Sequence, residues 1–187
     1  MSQQRTPTKA QVILAPRRDP PIPPTDKTIF LAGSTSNTDT DDWRTILTNS
    51  LSHFAGLTIL NPYRAGWDST WREDESFAPF REQVEWELDM QGSADLIIVY
   101  FHPATQAVVS LLELGLAAGS AAGAGAGVGG SGVLVVCPDG YWKKGNVSIV
   151  CRRFGIEMLG SVDELGDAIV RKLALGRGDS SDFSGAK

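Results

Sequence analysis

The sequence predicts an α/β domain built on an open parallel sheet, and three observations predict it. Short apolar, β-rich runs recur at residues 27–32, 57–60, 96–101 and 133–137. They are apolar throughout rather than alternating, which suits strands covered on both faces. Segments with helical spacing lie between them, and small or turn-forming residues follow their carboxyl ends. Strand and helix in alternation imply right-handed crossovers and a sheet of about five parallel strands with helices on both faces, a flavodoxin-like arrangement.

The bounds set by composition agree. The chain has 187 residues, enough for one domain with a well-buried core. Hydrophobic content is 42%, charged content 21% and formal net charge −5. With no dense basic run, that balance argues against a nucleic-acid partner. No apolar segment reaches the roughly 20 residues of a spanning helix, and residues 1–11 hold no apolar signal core. Cys137 and Cys151 stand in apolar contexts without metal-ligand spacing, as buried reduced thiols of a cytoplasmic protein would.

Residues 1–26 are polar and then proline-rich, and are expected to form an extended arm, with Val12, Ile13 and Leu14 pinning part of it to the surface. The domain proper is expected at 27–176. Its first strand ends in Gly33-Ser34-Thr35, small residues that let backbone amides approach a ligand beyond a strand's carboxyl end. Asp41 or Asp42 suits the N-cap of a helix carrying Trp43, Ile46, Leu47 and Leu51. The strand at 57–60 ends in Asn61-Pro62 and opens a long loop with Tyr63, Arg64, Trp67, Asp68 and Trp71. Aromatic and charged residues on such a loop point to ligand contact. A helix follows at 81–91, then the strand 96–101. An Ala/Gly-rich insertion occupies about 118–132, a short helix 147–153 and a faint strand 156–159. An amphipathic helix at 161–175 opens with the capping-box pair Ser161 and Glu164, and 177–187 reads as a disordered tail.

The stretch 83–115 carries the chemistry. Gln83 and Glu87 share a helix face by i,i+4 spacing. Beyond the strand, Val108, Val109, Leu111, Leu112, Leu114 and Leu116 surround a single acid, Glu113. A carboxylate buried among apolar groups is costly unless it is paired or has a function. The alternative is a glutamate on the helix surface, exposed or paired with a lysine. Glu87, flanked by Glu85 and Asp89, equally suits a solvated helix face.

FLAGS (30–34), NP (61–62), WD (67–68), QVEWE (83–87), AD (94–95), SLLELG (110–115) and KGN (144–146) occur in the order seen in the nucleoside 2-deoxyribosyltransferase-like family. Over residues 28–173 the chain resembles that family. The resemblance implies cleavage of the N-glycosidic bond of 2′-deoxynucleosides by double displacement, with no metal and no cofactor. Glu113 matches the nucleophile that attacks the anomeric carbon, and Glu87 falls where an acid manages the base's proton or orients the sugar. Gly33, Ser34, Thr35 and Asn61 match the loops bordering sugar and base. Trp67 and Asp68 would stack on and hydrogen-bond the base, although Trp67 also suits a loop anchor. Asn146 matches a residue reaching a neighbouring subunit's site, implying a homodimer or larger homo-oligomer, and it equally suits a helix N-cap.

The chain departs from the transferase pattern between Pro103 and Glu113, where the usual acid is missing and Ser110 is the polar side chain just ahead of Glu113. A hydrolase of deoxynucleosides or nucleoside monophosphates is therefore the nearest alternative. A non-catalytic nucleoside or nucleotide sensor is the alternative from another class. The expected partners are small nucleosides and nucleobases, with no membrane.

Overall fold

The structure, a computed structural model, describes residues 9–36, 42–123 and 132–175. Its centre is a sheet of six strands, β1 (Gln11–Leu14), β2 (Lys27–Gly33), β3 (Leu57–Asn61), β4 (Leu96–Tyr100), β5 (Gly132–Val136) and β6 (Glu157–Leu159). All neighbours pair in parallel, in the order β1-β3-β2-β4-β5-β6. Without the edge strand β1 this is the flavodoxin-like order, with its reversal of direction between β2 and β4. The helices are α1 (Trp43–Leu51), α2 (Ala78–Ser93), α3 (Val108–Gly123), α4 (Lys144–Phe154) and α5 (Leu165–Leu173).

Continuous apolar runs form the strands because both faces of the sheet are covered. Phe30, Leu60, Ile97, Val99 and Val135 point to one side, against Trp86 and Met90 of α2, Leu114 and Ala117 of α3, and Val147 and Cys151 of α4. Their strand neighbours Ile29, Leu31, Ile59, Ile98 and Leu134 point the other way, against Trp43, Leu47 and Leu51 of α1 and Leu165 and Ile169 of α5. Cys137 and Cys151 are buried free thiols.

The sixth strand corrects the expected count of about five. It comes from the N-terminal arm, where only Ile13 of β1 is buried. A single inward residue gives no periodicity to read, yet Ile13 and Ala15 join the core. The proline-rich stretch behind β1 crosses α2, where Trp86 Nε1 donates to Arg17 O at 2.7 Å and Arg18 pairs with Asp89. Helix α2 starts three residues before the expected boundary, with Pro79 in its first turn, where a missing N–H does no harm. Asp42 caps α1, its Oδ1 accepting from Arg44 N–H at 3.0 Å, while Asp41 lies outside the described residues. Ser161 and Glu164 close a three-residue 3₁₀ turn ahead of α5 rather than the α-helix itself, with Glu164 Oε1 accepting from Ser161 N–H at 2.9 Å. Helix α3 runs into the Ala/Gly-rich segment as far as Gly123. The rest of that insertion, 124–131, and the tail at 177–187 lie outside the described residues.

Where β2 and β4 part, Gly33 is held at φ +124°, and a Cβ there would lie 2.4 Å from Tyr100 O. Glycine alone permits this approach. Gly33→Ala is therefore expected to destabilise the fold by about 2–4 kcal/mol, read as a fall in the urea midpoint with an unchanged slope.

Candidate active site

Three elements meet at the carboxyl end of β2. From α1, Arg44 turns inward and is buried, donating from Nε to Leu31 O at 3.1 Å and from Nη2 to Gly33 O. These strand-end carbonyls are acceptors that the sheet no longer uses, so they fix the guanidinium in place. From α3 comes Glu113, whose Oε1 accepts from Gln91 Nε2 of α2 at 3.1 Å. From α2 comes Glu87, half-buried, whose Oε1 accepts from Gln83 Nε2 at 2.8 Å. Gln83, Glu87 and Gln91 lie four residues apart, so one stripe of α2 supplies one acid and an amide for each acid.

The two acids are electrically distinct. Burial, followed by repulsion from Glu87, pushes Glu113 up to about 7, against the opposing pull of Arg44 and a hydrogen bond from the Gly33 backbone. Burial also raises Glu87, less strongly opposed by Gln83 and Arg44. Burial lowers the Arg44 guanidinium from its ordinary value while Asp42, Glu113 and Glu87 hold it up. Glu113 lies beyond the first turn of α3, where the help of the helix dipole has faded. The Gly33 backbone and Arg44 supply that stabilisation.

A cavity of about 530 Å³ opens beside this cluster, lined by Thr35, Ser36, Asp42, Arg44, Tyr63, Arg64, Trp67, Gln83 and Glu87 among others. Glu113 is not among the lining residues. The charges it feels, Arg44 and Glu87, both line the cavity. Trp67 and Tyr63, both in the lining, are 45% and 53% exposed. Trp67 also packs on Trp71, with ring centroids 5.1 Å apart, so it anchors the loop while presenting a face to the cleft.

Other expected site residues have different surroundings. Ser34 latches the loop after β4: its Oγ accepts from His102 N–H at 3.1 Å and lies 2.7 Å from Thr105 Oγ1. Asn61 is buried and accepts from Tyr63 N–H, and it lines a neighbouring cavity of about 450 Å³ instead. Asp68 is exposed and outside the cleft lining. The Thr70 amide and hydroxyl bind it in a local turn and hold it below the usual carboxylate range. Ser110 is buried one turn before Glu113. Asn146 is exposed within the first turn of α4 and caps nothing, since Lys143 holds the cap position. Sequence reasoning missed Arg44, which reads as an ordinary basic residue on an amphipathic helix. Its one available signal was its place two residues after a capping Asp, at the mouth of the sheet.

Among the described residues no group of three or more His, Cys, Asp and Glu side chains could hold a metal ion. Nor is any helix long and apolar enough to cross a membrane. An open parallel sheet with two acids and a buried arginine at its switch point defines an α/β protein with a paired-carboxylate site. Residues 26–141 match the family model described as nucleoside 2-deoxyribosyltransferase like. That match spans more than half of the chain, and the chain belongs to this family. No curated protein matches it.

The raised Glu113 has a consequence for stability. The folded protein keeps a proton, between about pH 4.5 and 7, that the unfolded chain has already released. The stabilisation is complete below that window and lost as pH rises through it. Glu113→Gln is expected to be more stable than the parent at pH 8, by on the order of 2–3 kcal/mol. The difference should vanish near pH 4.5 when chemical denaturation is compared across pH.

Proposed function

We propose that the protein cleaves the N-glycosidic bond of 2′-deoxynucleosides by double displacement. A Glu113 oxygen bonds to the anomeric carbon as the bond to the base nitrogen breaks. The base leaves with that electron pair and takes a proton from Glu87. A second base, or water, then displaces Glu113 and returns a proton to Glu87. The observation that carries this reading is the grouping of Glu113 with Glu87 and Arg44, the latter two lining a cleft that also offers exposed Trp67 and Tyr63 rings. A carboxylate nucleophile and a carboxylic acid serve an oxocarbenium-like transition state, and an aromatic face accepts any base. For Glu113 to attack, the sugar must lie against its carboxylate.

The cleft favours a nucleoside over a nucleotide. Arg44 uses Nε and Nη2 on the Leu31 and Gly33 carbonyls, and Arg64 donates to Pro79 O at 3.2 Å and Glu82 at 2.9 Å. Each arginine has part of its fork taken up by protein acceptors, while Asp42 and Glu87 add negative charge to the cleft.

Two acids whose charges repel each other hold one proton between them, and its loss near pH 7 leaves no donor for the base. The profile of kcat/KM against pH is therefore expected to be bell-shaped, falling above about pH 7.

Incubation with a 2-fluoro-2-deoxy nucleoside should add one sugar mass to the peptide containing Glu113, and Glu113→Gln should lower kcat at least about a thousandfold. A label on Glu87 would reverse the two roles. Ligand binding without turnover would instead identify a sensor. Deoxyinosine with adenine, compared with deoxyinosine in water, separates transfer from hydrolysis by product.

A further inference from the structure

Gln83 is buried, with 3% of its surface exposed, and both hydrogens of its amide are spent. Nε2 donates to Pro62 O at 2.9 Å and to Glu87 Oε1 at 2.8 Å. Its own Oε1 is buried and accepts nothing among the described residues. Buried acceptors without a donor are uncommon, and each calls for an explanation. Rotating the amide by half a turn would not remove the problem. A main-chain carbonyl is acceptor-only, so the rotated oxygen would face Pro62 O. The amide can therefore sit in one sense alone, with N–H toward Glu87, and the stranded Oε1 follows from that.

Glu87 Oε1 must then accept in every protonation state the site visits. Its other oxygen, Oε2, has no protein donor or acceptor among the described residues, and Glu87 lines the cleft. We propose that Gln83 is a positioning residue that confines the exchangeable proton of Glu87 to Oε2, setting both the place from which the leaving base is protonated and the proton affinity of that acid. The proposal rests on Glu87 being the proton donor of the glycosidic step. In that step the Oε2–H bond breaks as the base nitrogen takes the proton, and Oε1 keeps its bond from Gln83 throughout. The second half-reaction returns a proton to the same oxygen from the incoming base N–H or water.

The charged groups around Glu87 do not provide this selection. Arg44 of α1, with Asp42 beside it, and Glu113 of α3 act through charge, which does not fix which oxygen bears the proton. Arg64 lines the same cleft but is committed to Pro79 and Glu82. On α2 itself, Glu85 turns to Arg81, 3.8 Å away.

The test is Gln83→Met, which keeps length and volume but removes the donor. Losing a hydrogen bond to the charged form raises an acid's pKa. The carbon-13 titration of the Glu87 side-chain carboxyl, assigned with Glu87→Gln, should move to higher pH by about one unit, a tenfold gain in proton affinity. In turnover of deoxyinosine, kcat should fall about 10- to 100-fold with KM changed less than about threefold, and the pH profile should shift in the same direction. If Gln83→Met does not fold, Gln83→Glu retains the shape. It should shift the Glu87 titration further upward, because two facing acids compete for one proton. An unmoved Glu87 titration with only a lower melting temperature would overturn the proposal, leaving Gln83 as a bolt between α2 and the loop after β3. The titration is read without turnover. An inactive parent protein whose Glu87 titration does shift would therefore count against the glycosidic reaction and not against the role of Gln83.

Discussion

The site depends on the burial of the Arg44 guanidinium at the end of the sheet. An isolated buried carboxylate would neutralise itself, and two near each other would do so more completely. One fixed cation next to both makes a single negative charge tolerable there. Arg44 can serve because its own burial is answered by the Leu31 and Gly33 carbonyls, which remain free where the strands separate. A buried ion cluster adds little to stability over an apolar one. Its presence here, with Glu113 pushed to about 7, is better explained by chemistry than by folding.

The surrounding backbone is arranged to hold that cluster. Gly33 lets β2 approach Tyr100 more closely than any side chain would permit. Ser34 then latches the loop that follows β4. From beyond β5, Tyr141 and Trp142 both donate to Gln106 O, at 2.9 and 3.2 Å. They secure the residue before Ala107, which has a left-handed φ of +49°, an uncommon conformation for an alanine. With its entry fixed from both sides, α3 delivers Glu113 to Gly33 and Arg44 without relying on a mobile loop. Ser34, which resembles a ligand contact in sequence, thus holds a neighbouring loop.

Much of the fold was legible because strands covered on both faces declare themselves as apolar runs. The burial of Glu113 was legible for a related reason, as one acid in an apolar helix. The features that escaped are those for which tertiary position, not local pattern, decides the role. Strand β1 has one inward residue and therefore no period. Arg44 differs from a solvated helix arginine only in where α1 sits on the sheet. Asp68 and Asn61 are short side chains that satisfied nearby backbone amides, which is what such residues do in turns anywhere. The importance of Gln83 needed Pro62 O, a carbonyl brought near by folding.

The environments of the two acids set an order of events for the proposed chemistry. In the free protein burial is greatest at Glu113, so the shared proton favours the inner acid, the wrong one for an attacking anion. Arg44 and the Gly33 backbone oppose that preference without abolishing it. In the proposed reaction a sugar lodged against Glu113 alters the balance, because positive charge growing on the anomeric carbon stabilises the Glu113 anion. The proton is then better placed on Glu87, next to the departing base. In the proposed reaction, charge developing on the substrate assigns the roles of nucleophile and acid, and the site is most favourable when the bond is already breaking. Fixed dipoles that match the transition state better than the resting state are what electrostatic catalysis requires. The amide of Gln83 and the guanidinium of Arg44 are both held by main-chain carbonyls, so neither needs to reorganise as the proton changes place.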